Sequence, residues 1–181
     1  MLNQKTTLLV TGASRLGKSE YLKLRGFQLS MSLLGDAAKL ITLRTMDRCK
    51  DFEMGPGSVL LLDEQDPADA EQTIYSSAGV WMNLLEVGQT TGFRSRNTDA
   101  SLARGVLRMV GATNQYTTAE GFVDAITRVP EQHAAALNRI FHVHVTERLF
   151  VHGTAAAAAL PLMPAQLNPE LVDARLSELL G

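Results

Sequence analysis

Eight residues near the start of the chain have the types and spacing that can bind the phosphates of a nucleotide. They are Gly12, Ala13, Ser14, Arg15, Leu16, Gly17, Lys18 and Ser19, which fit the pattern G-x-x-x-x-G-K-[ST] without a mismatch. The glycines let the backbone bend so that several N–H groups point at a β-phosphate, and the dipole of a following helix reinforces them. Lys18 is expected to reach the β- and γ-phosphates of ATP, and the Ser19 hydroxyl to ligate Mg²⁺. The alternative is a glycine-rich turn that binds nothing.

An acidic pair, Asp63-Glu64, follows the apolar run "VLLL" and can complete such a site. Asp63 is expected to hold the Mg²⁺ shell through Ser19 or water, and Glu64 to orient and polarise the water that attacks the phosphate. Nucleotide kinases usually lack a glutamate here because they must exclude water as a nucleophile, so the pair favours hydrolysis. The alternative is an acidic junction between a strand and a loop, which is common on protein surfaces.

A third candidate, Asn114, closes the segment "VLRMVGATN". A polar side chain at the tip of a strand beside the phosphate-binding strand can hydrogen-bond the γ-phosphate or the attacking water. Asparagine also favours strand ends and turns for reasons unconnected with catalysis, because its side chain hydrogen-bonds the nearby backbone.

Predicted strands alternate with predicted helices around these residues, which indicates an α/β fold with a mostly parallel central sheet. The run before Asp63 is continuously apolar, as expected of a strand buried on both faces of such a sheet. The predicted strands are Thr6 to Val10, Lys39 to Leu43, "SVLLLDE", "VLRMVGATN" and "IFHVHV". The predicted helices are Lys18 to Leu33, Pro67 to Ser77, Ala119 to Ile126 and Glu131 to Leu137. "VWMNLLEV" fits a strand or a helix, and the polar, arginine-rich segment 88–105 predicts a hairpin or a loop.

The composition is that of one ordinary folded domain. The chain has 181 residues, of which 45% are hydrophobic and 20% charged. A formal net charge of −2 gives no general attraction for a polyanion, so a nucleic-acid contact requires a local basic patch. The single cysteine, Cys49, excludes an internal disulfide. With no apolar run of about 18 residues and no signal-peptide pattern, we expect a cytoplasmic or nuclear protein that contacts no membrane.

The character of the sequence changes near residue 150. Residues 151–167 are low in charge, contain an alanine run and prolines, and predict a linker. Residues 168–181 predict an amphipathic helix that docks on its own domain or on a neighbouring subunit. Its apolar positions are Leu171, Val172, Leu176, Leu179 and Leu180.

Four segments in a fixed order give the chain a family resemblance. They read "LLVTGASRLGKSEY", "SVLLLDEQDP", "LLEVGQTTGFRSRNT" and "RGVLRMVGATNQ". Together they resemble the superfamily 3 helicase domain of replication-initiation (Rep) proteins of circular single-stranded DNA viruses and related plasmids, from about Thr6 to Val145. The resemblance implies a P-loop NTPase domain over residues 1–150, with three α/β/α layers of the AAA+/superfamily 3 type. It further implies ATP hydrolysis with Mg²⁺, action on single-stranded DNA or RNA in replication, and a homo-oligomer that can form a ring.

The resemblance also carries over individual roles. The hairpin of such helicases touches the nucleic-acid backbone, which assigns Arg94 and Arg96 to phosphates and Phe93 to base stacking. Arg104 and Arg108 follow it, although Arg108 alternates into a strand where it can be structural. For each arginine the alternative is a solvated loop residue. Arg139, in "AALNRIFHVHV", corresponds to an arginine finger that reaches a neighbouring subunit's ATP, and Arg128 is the second choice.

The sequence departs from the family in two respects. The relatives carry a DNA-nicking endonuclease and a helical oligomerisation segment before the ATPase, and here we expect neither, which weakens the inference of a ring. His142 and His144 lie two residues apart behind the ATPase motifs, so we interpret them as a buried or half-buried pair on one strand face and not as metal ligands.

Two other functions stay open at this point. One is a nucleotide or small-molecule kinase on the same phosphate-binding loop, with Asp47 and Arg48 as an acceptor-binding pair. The other is a non-catalytic nucleotide-binding interaction module. The glutamate of the acidic pair and the asparagine disfavour the kinase, and the intact loop and acidic pair disfavour the module.

Overall fold

The strands and helices alternate along the chain in this computed structural model, which describes residues 7–43, 52–69, 78–85, 91–95, 98–102, 106–112 and 114–148. The strands are β1 Thr7–Gly12, β2 Leu40–Leu43, β3 Phe52–Met54, β4 Val59–Gln65, β5 Thr91–Ser95, β6 Thr98–Leu102, β7 Leu107–Ala112 and β8 Ile140–Val145. The helices are α1 Lys18–Leu34, α2 Ala78–Leu85, α3 Ala119–Ile126 and α4 Pro130–Arg139, with a short 3₁₀ turn at Gly35–Ala37.

Five strands form an all-parallel sheet in the order β2-β4-β7-β1-β8. In the middle strand, Leu8 lies between Met109 of β7 and Phe141 of β8. Because all five strands run in one direction, their carboxyl ends lie at one edge of the sheet, which we call the carboxyl edge. The α/β class and the parallel sheet predicted from the sequence are confirmed.

Helices cover both faces of this sheet, and the alternation of side chains along the strands explains why. In β1, Leu8 and Val10 pack on the side of α1, while Leu9 packs on the side of α2, α3 and α4. β4 divides its side chains in the same way between the two clusters. A strand with apolar neighbours on both faces needs a continuous apolar sequence, which is what β1 and β4 have.

Three aromatic rings build the core on the side of α3. Trp81 of α2 and Phe122 of α3 meet edge to face at 5.6 Å between ring centroids, and Tyr116 meets Phe122 at 5.3 Å. Trp81, Leu84 and Leu85 are all buried and follow the spacing of one helix face. The segment "VWMNLLEV", which fits a strand or a helix by sequence, is therefore helical over its described residues.

A second sheet has the order β3-β6-β5. β5 and β6 pair antiparallel, which confirms the hairpin alternative for the arginine-rich segment. The third strand, β3, pairs parallel to β6 and was not predicted. It has three residues, too few for an alternating pattern to be recognised.

Two helix predictions have different outcomes at their first residues. α4 begins at Pro130, a favourable first helical position, one residue before the predicted start. The helix predicted from Pro67 is wrong at its start, because residues 67–69 lie in a turn in which the Asp66 carboxylate accepts the backbone N–H of Ala68 at 3.0 Å.

Several predictions fall outside the described residues. These are the remainder of the Pro67 helix, the pair Asp47-Arg48, the arginines Arg96 and Arg104, the linker 151–167 and the tail helix 168–181. Within the part of the chain that the structure covers, no helix has the length and apolar character needed to cross a bilayer.

Candidate functional site

The segment Gly12–Ser19 forms a bend between β1 and α1 at the carboxyl edge. Gly12, Arg15 and Gly17 all have positive φ, at 138°, 61° and 86°. A Cβ atom on Gly12 would lie 2.3 Å from the carbonyl oxygen of Val145, so both backbone conformation and space require glycine. Gly17 accepts the first hydrogen bond of α1, from the N–H of Tyr21 at 2.9 Å.

Lys18 folds back over this bend. Its ammonium donates hydrogen bonds to the carbonyl oxygens of Gly12 and Ala13, both at 2.7 Å. Burial lowers the pKa of the Lys18 ammonium, and the negative charges of Asp63 and Glu64 oppose that change. Among the described side chains none caps the start of α1, so its positive end faces the bend that Lys18 crosses.

The bend and the acidic pair are joined by one hydrogen bond. The Ser19 hydroxyl donates to Oδ1 of Asp63 at 2.6 Å, across 44 residues of sequence. The same Oδ1 accepts the N–H of Glu64 at 3.1 Å, and the Asp63 side chain is buried. Gly111 of β7 lies beside this carboxylate, because a Cβ atom there would contact Oδ1 at 3.4 Å.

The donor set fits Mg²⁺, which prefers oxygen ligands and keeps several waters beside substrate phosphates. Ser19 and Asp63 bring a hydroxyl and a carboxylate into hydrogen-bond contact. In the described ranges no three or more His, Cys, Asp or Glu side chains group to hold a metal ion. An ion here would therefore depend on these two oxygens together with oxygens from a bound ligand and water.

A bulge directs Glu64 out of the sheet. The register of β4 against β7 shifts between Leu62 and Gln65, and Glu64 has a φ of 51°. Asp63 and Gln65 on either side are buried, whereas Glu64 is exposed, and the Gln65 amide donates to the carbonyl of Asp63 at 2.8 Å. Such a conformation costs about 1–3 kcal/mol in a residue other than glycine, and strain of this kind collects at functional sites.

Asn114 lies where the sequence predicts, just beyond the end of β7 and exposed. β7 lies between β1 and β4, and its last residue, Ala112, pairs with Gln65. Asn114 therefore follows a strand whose neighbours carry the Gly12–Ser19 bend and the acidic pair. Its contact with a phosphate or a water stays a prediction.

Sequence reasoning missed a cluster beside these residues, formed by Asp66, Gln115 and Tyr116. The Tyr116 hydroxyl donates to Oδ1 of Asp66 at 2.5 Å, and the Gln115 amide donates to Oδ2. Burial and the Asp66 carboxylate raise the pKa of the Tyr116 hydroxyl. The available signal was position: Asp66 follows Glu64 by two residues, and Gln115-Tyr116 directly follows Asn114.

Arg139 lies at the opposite edge of the sheet. It is the last residue of α4, its guanidinium donates to the carbonyl of Met82 at 3.3 Å, and the next residue, Ile140, pairs with Thr7. Five strand residues, or about 16 Å, separate that position from Gly12. Arg139 therefore lies apart from the Gly12–Ser19 bend of its own chain, and its role towards a neighbouring subunit stays a prediction. Arg128 is exposed between α3 and α4.

The two histidines of β8 converge on one hydroxyl. Thr11, fully buried beside Gly12, contacts Nε2 of His142 and Nδ1 of His144, each at 2.8 Å. Their shared strand face and the half-burial of His142 agree with the sequence interpretation, but His144 is exposed. Burial lowers the pKa of His142, His144 lowers it further, and Glu120 opposes this.

The candidate nucleic-acid residues are described in part. Phe93 and Arg94 lie in β5, opposite Ala100 and Asp99 of β6. Arg108 lies within β7, opposite Thr7, in agreement with its predicted strand position. The contact of the hairpin with nucleic acid stays a prediction.

The sequence was compared with protein-family models and with curated proteins, and neither comparison finds a match. The resemblance to Rep helicases is therefore an expectation that depends on the four sequence segments. The functional proposal depends on the geometry at the carboxyl edge.

Proposed function

We propose that this chain is a Mg²⁺-dependent P-loop ATPase of the Rep-helicase type. The observation that carries the proposal is the 2.6 Å hydrogen bond from the Ser19 hydroxyl to Asp63. These two residues come from separate motifs, and the sequence of each motif independently predicts a Mg²⁺ ligand. A glycine-rich turn and an acidic junction without a shared function would not be expected to form this hydrogen bond.

The topology supports the same proposal. α1 leaves β1 on one face of the sheet, whereas α3 and α4, which connect β7 to β8, lie on the other face. The carboxyl end of β1 is therefore a point at which successive connections diverge. Ligands of open α/β sheets bind in the crevice outside such a point.

Each residue of the bend has a binding role in this proposal. The backbone N–H groups of Gly12–Ser19 and the positive end of α1 bind the β-phosphate. Lys18 exchanges its contacts with the carbonyl oxygens of Gly12 and Ala13 for phosphate oxygens. Ser19 and Asp63 hold Mg²⁺, which when bound neutralises charge on the β- and γ-phosphate oxygens.

Glu64 is the proposed water-orienting carboxylate. At the bulge its side chain is exposed although its neighbours in β4 are buried. Its carboxylate accepts a hydrogen bond from the attacking water and takes up the proton as the water adds to the γ-phosphorus. Asn114, beyond the adjacent strand, donates to the γ-phosphate or holds the same water. The products are ADP and phosphate.

The partners belong to the same proposal. We assign single-stranded DNA or RNA to the β5–β6 hairpin, with Arg94 and Arg96 on phosphates and Phe93 on a base. A homo-oligomer, in which Arg139 serves a neighbouring ATP, follows from the family resemblance. ATP turnover with and without single-stranded DNA at two salt concentrations tests this part, because phosphate contacts weaken as salt rises.

Two substitutions test the proposed chemistry. Lys18→Ala and Glu64→Gln should each abolish turnover, and Glu64→Gln should still bind ATP because only the water-orienting carboxylate is lost. The matched controls are Lys23→Ala and Glu131→Gln, whose side chains are exposed or partly exposed on α1 and α4. Turnover that survives both Lys18→Ala and Glu64→Gln contradicts the proposal.

Measurement of phosphate release, together with size-exclusion chromatography, separates the other two functions. A kinase would convert an added acceptor into a phosphorylated product and release little free phosphate. A non-catalytic module would bind ATP without turnover, and its assembly state would change with ATP in size-exclusion chromatography. The outward position of Glu64 favours hydrolysis over both.

A further inference from the structure

Two turns at the carboxyl edge are tied together through one carboxylate. The first turn follows β4 and contains Asp66, and the second follows β7 and contains Gln115 and Tyr116. Both oxygens of the Asp66 carboxylate accept hydrogen bonds from the second turn. Oδ1 also accepts the N–H of Ala68 at 3.0 Å, which fixes the carboxylate within its own turn.

The second turn is anchored in the core. Tyr116 is buried except for 8% of its surface, and its ring packs edge to face against Phe122 of α3. Phe122 in turn packs against Trp81 of α2. The Tyr116 hydroxyl thus connects a buried aromatic cluster to Asp66, and its position is set by the packing of the ring.

The two residues proposed to act on the water lie next to or within these turns. Glu64 precedes Asp66 by two residues, and Asn114 precedes Gln115 by one. Glu64 is held at a φ of 51°, a conformation that persists only where the surroundings enforce it. The hydrogen bonds of Asp63 and Gln65 fix the part of the bulge that lies in β4. The hydrogen bonds of Asp66 fix the chain where it leaves the sheet.

We propose that Asp66 and Tyr116 are positioning residues that hold the Glu64 carboxylate and the Asn114 amide at a fixed separation on either side of the reacting water. This inference deepens the proposed ATPase and depends on it. Neither residue is assigned a contact with the nucleotide. Asp66 acts through the backbone of the Glu64 bulge, and Tyr116 acts through the turn that begins at Asn114.

The test uses two substitutions of the full chain. Tyr116→Phe keeps the ring packing and removes only the hydroxyl, and Asp66→Asn keeps the shape and removes the charge that accepts three hydrogen bonds. For each we expect kcat to fall about tenfold to a hundredfold, with little change in ATP affinity measured by calorimetry, because small misplacements of reacting groups cost rate and not binding.

The matched control is Thr127→Val. The Thr127 hydroxyl donates to the Gln132 side chain at 2.8 Å and accepts the N–H of Val129, so its loss also removes partly buried hydrogen bonds. It lies between α3 and α4, outside the cluster of Asp66, Gln115 and Tyr116. We expect a lower melting temperature and an unchanged kcat. The positioning role is overturned if Tyr116→Phe and Thr127→Val, compared at matched stability, lose the same amount of kcat and the same amount of ATP affinity.

Amide hydrogen exchange gives a readout without turnover. The N–H groups of Glu64 and Asn114 should exchange faster in Tyr116→Phe and in Asp66→Asn than in the wild type. In Thr127→Val their exchange rates should equal those of the wild type. Unaltered exchange at both amides overturns the inference even if Asp66→Asn folds poorly, since Tyr116→Phe alone decides it.

The outcomes separate this inference from the proposed function. A folded wild-type chain that binds no ATP and releases no phosphate overturns both. A wild-type chain that hydrolyses ATP through Glu64, while Tyr116→Phe and Asp66→Asn hydrolyse it equally fast, overturns the positioning role alone.

Discussion

The Gly12–Ser19 bend is flanked at the carboxyl edge by two regions of opposite chemistry. On the side of β4, Asp63 and Asp66 accept hydrogen bonds from Ser19 and Tyr116. On the side of β8, two imidazoles converge on Thr11, next to Gly12. We call these the acidic side and the imidazole side.

The difference between the two sides indicates that they have different roles. The acidic side offers oxygen atoms of fixed negative charge, which suit a cation and a water. The imidazole side includes His142, whose pKa is lowered by burial, so that its neutral form is favoured. Under the proposed ATPase function, a cation and a nucleophile therefore belong on the β4 side of the bend, whereas β8 contacts the bend's neighbour Thr11.

Gly12→Ala should have the largest effect on stability, because the added methyl group would clash where the bend contacts β8. The added methyl group would lie 2.3 Å from the carbonyl oxygen of Val145, at a φ of 138°. We expect a loss of about 3 kcal/mol or more in the free energy of unfolding, measured by denaturant titration. The control is Gly55→Ala, where a Cβ atom meets nothing within 4 Å, and its effect should stay within about 0.5 kcal/mol. Equal stability of the two variants would contradict the close approach of β1 and β8.

Asp63→Asn tests the acidic side and should have an intermediate effect. The amide keeps the shape but loses the charge that faces Ser19, so Mg²⁺-dependent ATP affinity should fall about 10–100-fold. Affinity measured in the presence of a chelator should change little, because the phosphate contacts of the bend remain. Asp36→Asn, exposed in the 3₁₀ turn, is the control. Equal losses of affinity with and without Mg²⁺ would show that Asp63 supports the fold and not the ion.

His142→Gln tests the imidazole side and should have the smallest effect. Because the pKa of His142 is lowered in the folded state, the unfolded chain binds the proton first as pH falls below about 6.5. This contribution to stability is therefore complete above that pH and is lost as pH falls towards the lower folded pKa. The variant, whose amide can still contact Thr11, should lose less stability on acidification than the wild type.

The control for this prediction is His133→Gln on α4, away from Thr11, which should retain the acid sensitivity that depends on His142. Thermal melts between pH 5 and 8 measure the difference. If the melting temperatures of the wild type and of His142→Gln change with pH in the same way, His142 does not contribute to the pH dependence of stability.

The sequence predicts those parts of the molecule that local patterns determine. The apolar runs of β1 and β4 indicate buried parallel strands, and the spacing of Lys18 and Ser19 after Gly12 indicates the bend. α3 agrees with its predicted bounds at both ends, since Thr118 caps its start by accepting the N–H of Gly121.

Features that depend on register between distant segments were not predictable. The contacts of Asp66 with Gln115 and Tyr116 span about fifty residues, and nothing in either segment alone specifies the partner. The positive φ of Glu64 follows from the register shift between β4 and β7, which no local pattern encodes. The helix from Pro67 was predicted from a favourable first residue, but the Asp66 side chain offers the backbone of Ala68 a turn instead.

The most direct test of the central claim is calorimetric binding of ATP to the folded wild-type chain, with Mg²⁺ and with a chelator. The claim is that Ser19 and Asp63 hold the ion that accompanies the terminal phosphates in the Gly12–Ser19 bend. It predicts binding in both conditions and tighter binding with Mg²⁺. Absence of measurable affinity for any magnesium–nucleoside triphosphate would contradict it.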